Sequence, residues 1–85
     1  MNPAEIETLL RNELDLEEVY VSGEGSHFQV IAVSAAFASL TPVKRQQLIY
    51  RPLNDKIKDG SIHALTIKAF TPEKWQREKL LNMPS

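Results

Sequence analysis

The chain has 85 residues, of which 42% are hydrophobic and 25% charged, and its formal net charge is -1. This composition indicates one folded globular domain, and it argues against disorder and against a general attraction to nucleic acid or an anionic membrane. The absence of cysteine excludes a disulfide, a thiol nucleophile and a thiolate metal ligand. The polar, acidic start and the lack of a long apolar run predict no secretory signal and no membrane span, and therefore a cytoplasmic protein.

The first predicted element is a helix that begins after Asn2. Asn2 can cap the helix, Pro3 suits its first position, and Glu5 stands where a capping box needs an acidic side chain. Apolar residues then recur at helical spacing, which predicts one buried stripe. The stripe consists of Ile6, Leu9, Leu10 and Leu14.

A β-hairpin is predicted next. Apolar and polar residues alternate over 19–22, and a second run, 27–33, is rich in strand-forming residues. Gly23-Glu24-Gly25-Ser26 lies between them and predicts a four-residue turn. The second strand is apolar on both faces, so we expect it to lie in the centre of a sheet.

The middle of the chain is predicted to be helical. Residues 35–40 suggest one short helical turn, and Thr41-Pro42 marks the start of a longer helix. Pro52 removes a backbone donor within this stretch and predicts a kink or a break. Asp59-Gly60 predicts its end.

A third strand is predicted over 62–70, and Thr71-Pro72 opens a last helix that carries Trp75 and ends near Leu81. We expect the tail, 82–85, to be frayed. The order α-β-β-α-α-β-α predicts an α+β fold, a three-stranded mixed sheet with helices packed on one face. The third strand returns through a helical crossover, so it can lie parallel to the first or to the second strand.

Two side chains are natural metal ligands or general bases near neutral pH, His27 and His63. Each is predicted at the start of a strand, where a histidine is more often a hydrogen-bonded structural residue than a ligand. No catalytic combination, phosphate-binding glycine pattern or zinc spacing accompanies them. The residues therefore predict a protein that is not an enzyme.

Basic residues are frequent in the middle helical stretch. They offer a face for nucleic acid or an acidic partner, although a solvated helix face is the more common reason for such a pattern. The set is Lys44, Arg45, Arg51, Lys56 and Lys58.

Three segments of the chain carry a recognisable pattern: 26–34, which reads Ser-His-Phe-Gln-Val-Ile-Ala-Val-Ser, then 44–50, and then 62–69 followed by 71–75. They resemble, in this order, the second strand, the central helix, and the third strand with the last helix of the BolA family. The stretch 21–33 is most similar to the short bacterial IbaG or YrbA subgroup of that family. The likeness extends over nearly the whole chain in the same order, so residues 1–85 are expected to form a single BolA-like domain.

The resemblance implies a fold similar to the type II KH fold and an adaptor function. Members of the family bind a monothiol glutaredoxin and share a 2Fe–2S cluster with it and with glutathione, for iron–sulfur trafficking or iron and stress signalling. The family's constant ligand corresponds to His63. Its second ligand comes from the loop between the first two strands, where this chain has Gly23, Glu24 and Gly25. The substitute for it could be His27, Glu24 or a small molecule.

A second interpretation is a DNA-binding transcriptional regulator of an acid-stress or cell-shape response, acting through Lys44, Arg45 and Arg51. The KH-like fold supports it in part. However, the GXXG loop with which KH domains clamp nucleic acid has no counterpart in 39–42, which read Ser-Leu-Thr-Pro.

Overall fold

The computed structural model describes residues 1–82, so most of the tail predicted to be frayed, 83–85, lies outside the described residues. The helices are α1 (Pro3–Glu13), α2 (Pro42–Tyr50), α3 (Asn54–Lys58) and α4 (Pro72–Asn82). The strands are β1 (Glu18–Glu24), β2 (His27–Val33) and β3 (Ala64–Phe70), and short 3₁₀ turns occupy Ala35–Ser39 and Arg51–Leu53. Within this part of the chain, no helix is both long and apolar enough to cross a bilayer.

The predicted start of α1 is confirmed in detail. The amide of Glu5 donates to Oδ1 of Asn2 at 3.0 Å, and the amide of Asn2 donates to Oε1 of Glu5 at 3.3 Å. This capping box satisfies amides that have no partner inside the helix. It fixes the start of the helix that buries Ile6 and Leu10 completely.

The hairpin has a shorter turn than predicted. β1 continues to Glu24, which pairs with His27, so only Gly25 and Ser26 separate the strands. Gly25 has a φ of +66°, which glycine adopts at little cost. Gly23 has a φ of +139°, and a Cβ there would lie 2.2 Å from the carbonyl oxygen of His27. The close approach of the two backbones therefore requires glycine at position 23.

The helical stretch in the middle of the chain is interrupted at Pro52, as predicted. The 3₁₀ turn Arg51–Leu53 contains this proline and separates α2 from the short helix α3. Thr41 caps α2 with a hydroxyl that accepts the amide of Lys44 at 3.3 Å. Gly60, with a φ of +84°, ends α3 as expected.

The sheet has the order β1-β2-β3, with β1 antiparallel and β3 parallel to β2. The predicted central position of the second strand is confirmed, and the structure selects β2 over β1 as the partner of β3. The third strand begins at Ala64, two residues later than predicted. Ile62 instead turns into the main core, where it is 2% exposed.

The α+β class and the mixed three-stranded sheet are confirmed. One face of the sheet is covered by α1, the first 3₁₀ turn and the segment that contains α2 and α3. This main core consists of Ile6, Leu10, Val19, Phe28, Val30, Ala32, Phe37, Ile49, Leu53 and Ile62.

The prediction that helices pack on one face needs one refinement, which concerns α4. Trp75 of this helix packs with Ile31, Val33 and Phe70, whose side chains leave the sheet on the opposite face. Its ring centroid lies 5.3 Å from that of Phe70 and 5.6 Å from that of Tyr20. Because β2 is apolar on both faces, a helix on the second face is needed to bury Ile31 and Val33.

Candidate functional site

The first candidate ligand, His63, directly precedes β3 and is exposed to solvent. Its amide donates to the carbonyl oxygen of Ser26 at 2.7 Å, and the amide of Ala64 donates to the same oxygen at 3.2 Å. The backbone of His63 is therefore tied to the turn between β1 and β2. This connection brings the loop between β1 and β2 and the start of β3, the two segments predicted to carry ligands, to the same end of the sheet.

The second candidate, His27, is the first residue of β2 and is also exposed. In the sheet it pairs with Glu24 of β1 and with Ala64 of β3. Ala64 directly follows His63 in the chain, so the two histidines lie near each other at this end of the sheet. The structure thus brings both histidines to the hairpin end of the sheet, although 35 other residues separate them in the chain.

The two imidazoles do not form a ready-made metal site. Side chains alternate along a strand, so His27 leaves the sheet on the same face as its neighbour Ala64. His63 precedes Ala64, and its Nε2 lies 3.9 Å from the place where Gly60 would carry a Cβ. Within residues 1–82, no group of three His, Cys, Asp or Glu side chains is arranged to hold a metal ion.

The loop positions where the resembled family has its second ligand differ in what they allow. Gly23 has no room for any side chain, because a Cβ there would also lie 2.8 Å from the Cα of Phe28. Gly25 has open space around it. Glu24 is exposed and pairs directly with His27. Of these three loop positions, only Glu24 therefore carries a donor, a carboxylate, in addition to the imidazoles of His27 and His63.

The turn that precedes His63 is a feature that the sequence analysis did not assign to the site. The amide of Ser61 donates to Oδ1 of Asp59 at 2.9 Å. A hydrogen bond from the Ser61 side chain, followed by the one from its amide, holds the pKa of Asp59 below its ordinary value, and the charge of Lys56 acts in the same direction. The Asp-Gly-Ser sequence is a recognisable turn signal, but only the structure places Gly60 beside His63.

The three basic residues predicted for DNA binding have unlike environments. Lys44 and Arg51 are exposed. Arg45 is half-buried, and its Nε–H is shared between the carbonyl oxygens of Phe37 at 2.9 Å and Leu40 at 3.1 Å. Arg45 therefore fastens α2 to the first 3₁₀ turn, which is a structural use of part of its guanidinium.

Comparison with known proteins places this fold in a family. A family model for BolA-like proteins matches residues 5–74. The chain is 52% identical over 82 residues to the Acid stress protein IbaG of Escherichia coli (strain K12), which covers 96% of this chain and 98% of that protein. It is 45% identical over 56 residues to the DNA-binding transcriptional regulator BolA of Haemophilus influenzae, which covers 66% of this chain and 53% of that protein.

A solved structure agrees with the sequence comparisons. A BolA protein homologue from Coxiella burnetii superimposes with a TM-score of 0.79 at 27% identity, over 91% of this chain and 99% of that one. The family match extends over most of the chain, and the identity to an IbaG protein extends over nearly all of it. The chain therefore belongs to the BolA family, in the IbaG subgroup.

Proposed function

We propose that this protein is a non-catalytic, cytoplasmic BolA-type adaptor that binds a monothiol glutaredoxin and shares a 2Fe–2S cluster with it and with glutathione. The observation that supports this proposal is the position of His63. It is exposed, its backbone is hydrogen-bonded to Ser26, and a second exposed histidine, His27, begins the neighbouring strand. A ligand held on a fixed backbone at the surface is suited to complete a metal site that another protein brings.

The donors of this chain fit a shared cluster. The chain has no cysteine, so it has no thiolate with which to hold iron alone. Histidine replaces cysteine on one iron of some 2Fe–2S centres and raises the reduction potential there. His63 is the proposed constant ligand. His27 is the proposed second ligand, and the carboxylate of Glu24, which pairs with His27, is the alternative donor at this end.

The proposed role of the two imidazoles predicts a dependence on pH. An imidazole binds a metal only through a deprotonated nitrogen, so a proton competes with iron for the same ring. Acidification is therefore expected to weaken the bonds that His63 and His27 make to the cluster. Such a response would connect the site with acid conditions, to which the name of the E. coli relative refers.

The test is to reconstitute the complex. The purified protein is mixed with a monothiol glutaredoxin, glutathione, iron and sulfide without oxygen, and visible absorption, circular dichroism and co-elution are recorded. We expect a 2Fe–2S spectrum that differs from that of the glutaredoxin alone. His63→Ala is expected to change this spectrum most, and His27→Ala to change it less.

Thr66→Ala is the matched control. Thr66 is exposed on the same face as His27 but offers no imidazole. Its removal is expected to leave the spectrum unchanged. A spectrum identical to that of the glutaredoxin alone, with no co-elution, would contradict the adaptor function.

A second candidate function is DNA binding, which is favoured by the name of the H. influenzae relative. Because Arg45 is engaged with backbone carbonyls, the exposed Lys44 and Arg51 are the better phosphate contacts. Such binding would give a log affinity for duplex DNA that falls linearly with log salt. Lys44→Ala and Arg51→Ala should each reduce the salt slope by about 1. An unchanged slope in both variants would count against this function.

A further inference from the structure

A small cavity of about 190 Å³ lies between α2, β3 and the first turn of α4. Among its described lining residues, two are basic, one is an amide, three are apolar and none is acidic. They are Pro42, Arg45, Gln46, Ile67, Ala69 and Lys74. Ile67 and Ala69 belong to the second half of β3, whereas His63 precedes the first residue of that strand. The cavity is therefore separate from the histidine end of the sheet.

Arg45 lines this cavity with a side chain that is held in place. Its Nε–H is shared between the carbonyl oxygens of Phe37 at 2.9 Å and Leu40 at 3.1 Å, and the residue is half-buried. Within residues 1–82, no hydrogen bond or ion pair engages its two terminal nitrogens. These nitrogens carry most of the five N–H donors of a guanidinium. A guanidinium anchored through Nε is therefore a fixed group with donors left for an anion.

Lys74 adds a second positive charge from α4. Its Nζ lies 3.8 Å from Oε2 of Glu78, and the two side chains are 59% and 37% exposed. An ion pair this long and this exposed contributes little, so it does not prevent the ammonium from binding another anion. Ile67 and Ala69 give the cavity an apolar wall, against which the carbon part of a ligand can pack. The lining thus combines two cations with a small apolar surface.

We propose that this cavity binds the phosphate group of a small molecule through the terminal nitrogens of Arg45 and the ammonium of Lys74. A guanidinium matches the geometry of two phosphate oxygens, and an ammonium acts beside it as a point charge. The two charges of a phosphate monoester match the two cations more closely than the single charge of a carboxylate does. The volume suits a small ligand, since pockets for drug-sized ligands measure about 300–1,000 Å³. This binding is independent of the proposed iron–sulfur function, because no residue of the histidine end takes part.

The site also differs from the DNA-binding candidate in the residues that it uses. Lys44 and Arg51, the exposed contacts of that candidate, do not line the cavity. Lys44 is the neighbour of Arg45 in the chain and carries the same charge. Its removal therefore changes the net charge of α2 by the same amount and leaves the lining intact. Contacts to duplex phosphates would depend on Lys44 and Arg51, whereas a phosphate group in the cavity would not.

The experiment is an NMR titration of the full ¹⁵N-labelled chain with phenyl phosphate and, separately, with benzoate. The two probes share a ring and differ in the anionic group. The pH is kept above the second pKa of phosphate, about 6, and the ionic strength is held constant. With phenyl phosphate we expect saturable shifts of the amides of Gln46, Ile67 and Ala69. Absence of a saturable shift would overturn the proposal, and benzoate binding as tightly as phenyl phosphate would overturn the choice of a phosphate group.

Variants then test the two cations separately. Arg45→Lys keeps the charge but loses the fork of donors, and should weaken phenyl phosphate binding by about tenfold. Lys74 is exposed, so Lys74→Gln tests the site without disturbing the attachment of α2, and it should weaken binding by about threefold. Lys44→Gln and Lys79→Gln remove the same charge from α2 and α4 outside the cavity, and each should leave the affinity within about twofold. Equal weakening by Lys44→Gln and Lys74→Gln would overturn the site in favour of a general attraction to positive charge.

Discussion

The sheet face on which α4 packs has two ends that differ sharply in burial. At one end, Val33 and Phe70 are neighbours in the sheet and are 1% and 7% exposed, because Trp75 of α4 covers them. At the other end of the same two strands, His27 and Ala64 are neighbours and both are exposed. The helix α4 therefore covers one end of this face and leaves the other end exposed to solvent.

The largest effect on stability is expected from Trp75→Ala, at the covered end. Trp75 is 1% exposed and its ring stacks near those of both Phe70 and Tyr20, so its removal opens a cavity beside them. We expect a loss of about 3–5 kcal/mol in the free energy of unfolding, measured by urea denaturation. Leu80→Ala is the control, since Leu80 is 91% exposed and should change stability by less than about 0.5 kcal/mol. Equal losses of unfolding free energy in Trp75→Ala and Leu80→Ala would contradict the stabilising role assigned to the covered end.

The next largest effect is expected from Gly23→Ala, near the histidine end. Its Cβ would collide with the backbone of His27 and Phe28, and the φ of +139° is strained for any side chain. We expect a loss of about 1–3 kcal/mol, read from the same denaturation curves. Gly25→Asn is the matched change, because position 25 has free space and asparagine tolerates a φ of +66°. A smaller loss at 23 than at 25 would show that the two strands approach less closely than described.

A smaller effect is expected from Tyr20→Phe, at the edge of the covered end. The Tyr20 hydroxyl donates to the carboxylate of Glu18, and this hydrogen bond, followed by burial and the Glu18 charge, raises the pKa of Tyr20. Because the folded protein favours the protonated phenol, its contribution is present below the unfolded pKa and is lost as the pH rises through the folded pKa.

Thermal unfolding at a series of alkaline pH values checks this prediction. At neutral pH, Tyr20→Phe should cost about 0.5–1.5 kcal/mol, the usual net contribution of one hydrogen bond. The difference between the two proteins should shrink once the phenol of Tyr20 ionises. A difference that stays constant through that range would contradict the role of the hydrogen bond.

The smallest effect on stability is expected from His63→Ala and His27→Ala. Both side chains are exposed, so each change should alter the free energy of unfolding by about 0.5 kcal/mol or less. If both denaturation curves coincide with the curve of the unchanged protein, the contrast between the two ends of the sheet becomes sharper. The histidines would then contribute nothing measurable to folding, unlike Trp75. A loss of several kcal/mol from either variant would instead assign that histidine to the fold.

The sequence was sufficient for features that depend on neighbours within a few residues. The capping box of Asn2 and Glu5, the Thr41 cap and the break at Pro52 were all predicted, and each lies where expected. It was also sufficient to select His27 and His63 as the candidate ligands and to identify the family. Their role as ligands stays a prediction, because nothing observed tests it.

The tertiary structure alone decided which residues from distant parts of the chain meet. It selected β2 as the partner of β3, placed Trp75 on the second face, and gave Arg45 two backbone carbonyls as partners. It also showed that Gly23 has no room for a side chain and that Gly60 lies beside His63. Caps and breaks follow from hydrogen bonds within one or two turns of a helix, which a local sequence encodes. Which strands pair, on which face of the sheet a side chain lies and how much space surrounds it depend on how the whole chain packs. A local sequence is compatible with several such arrangements.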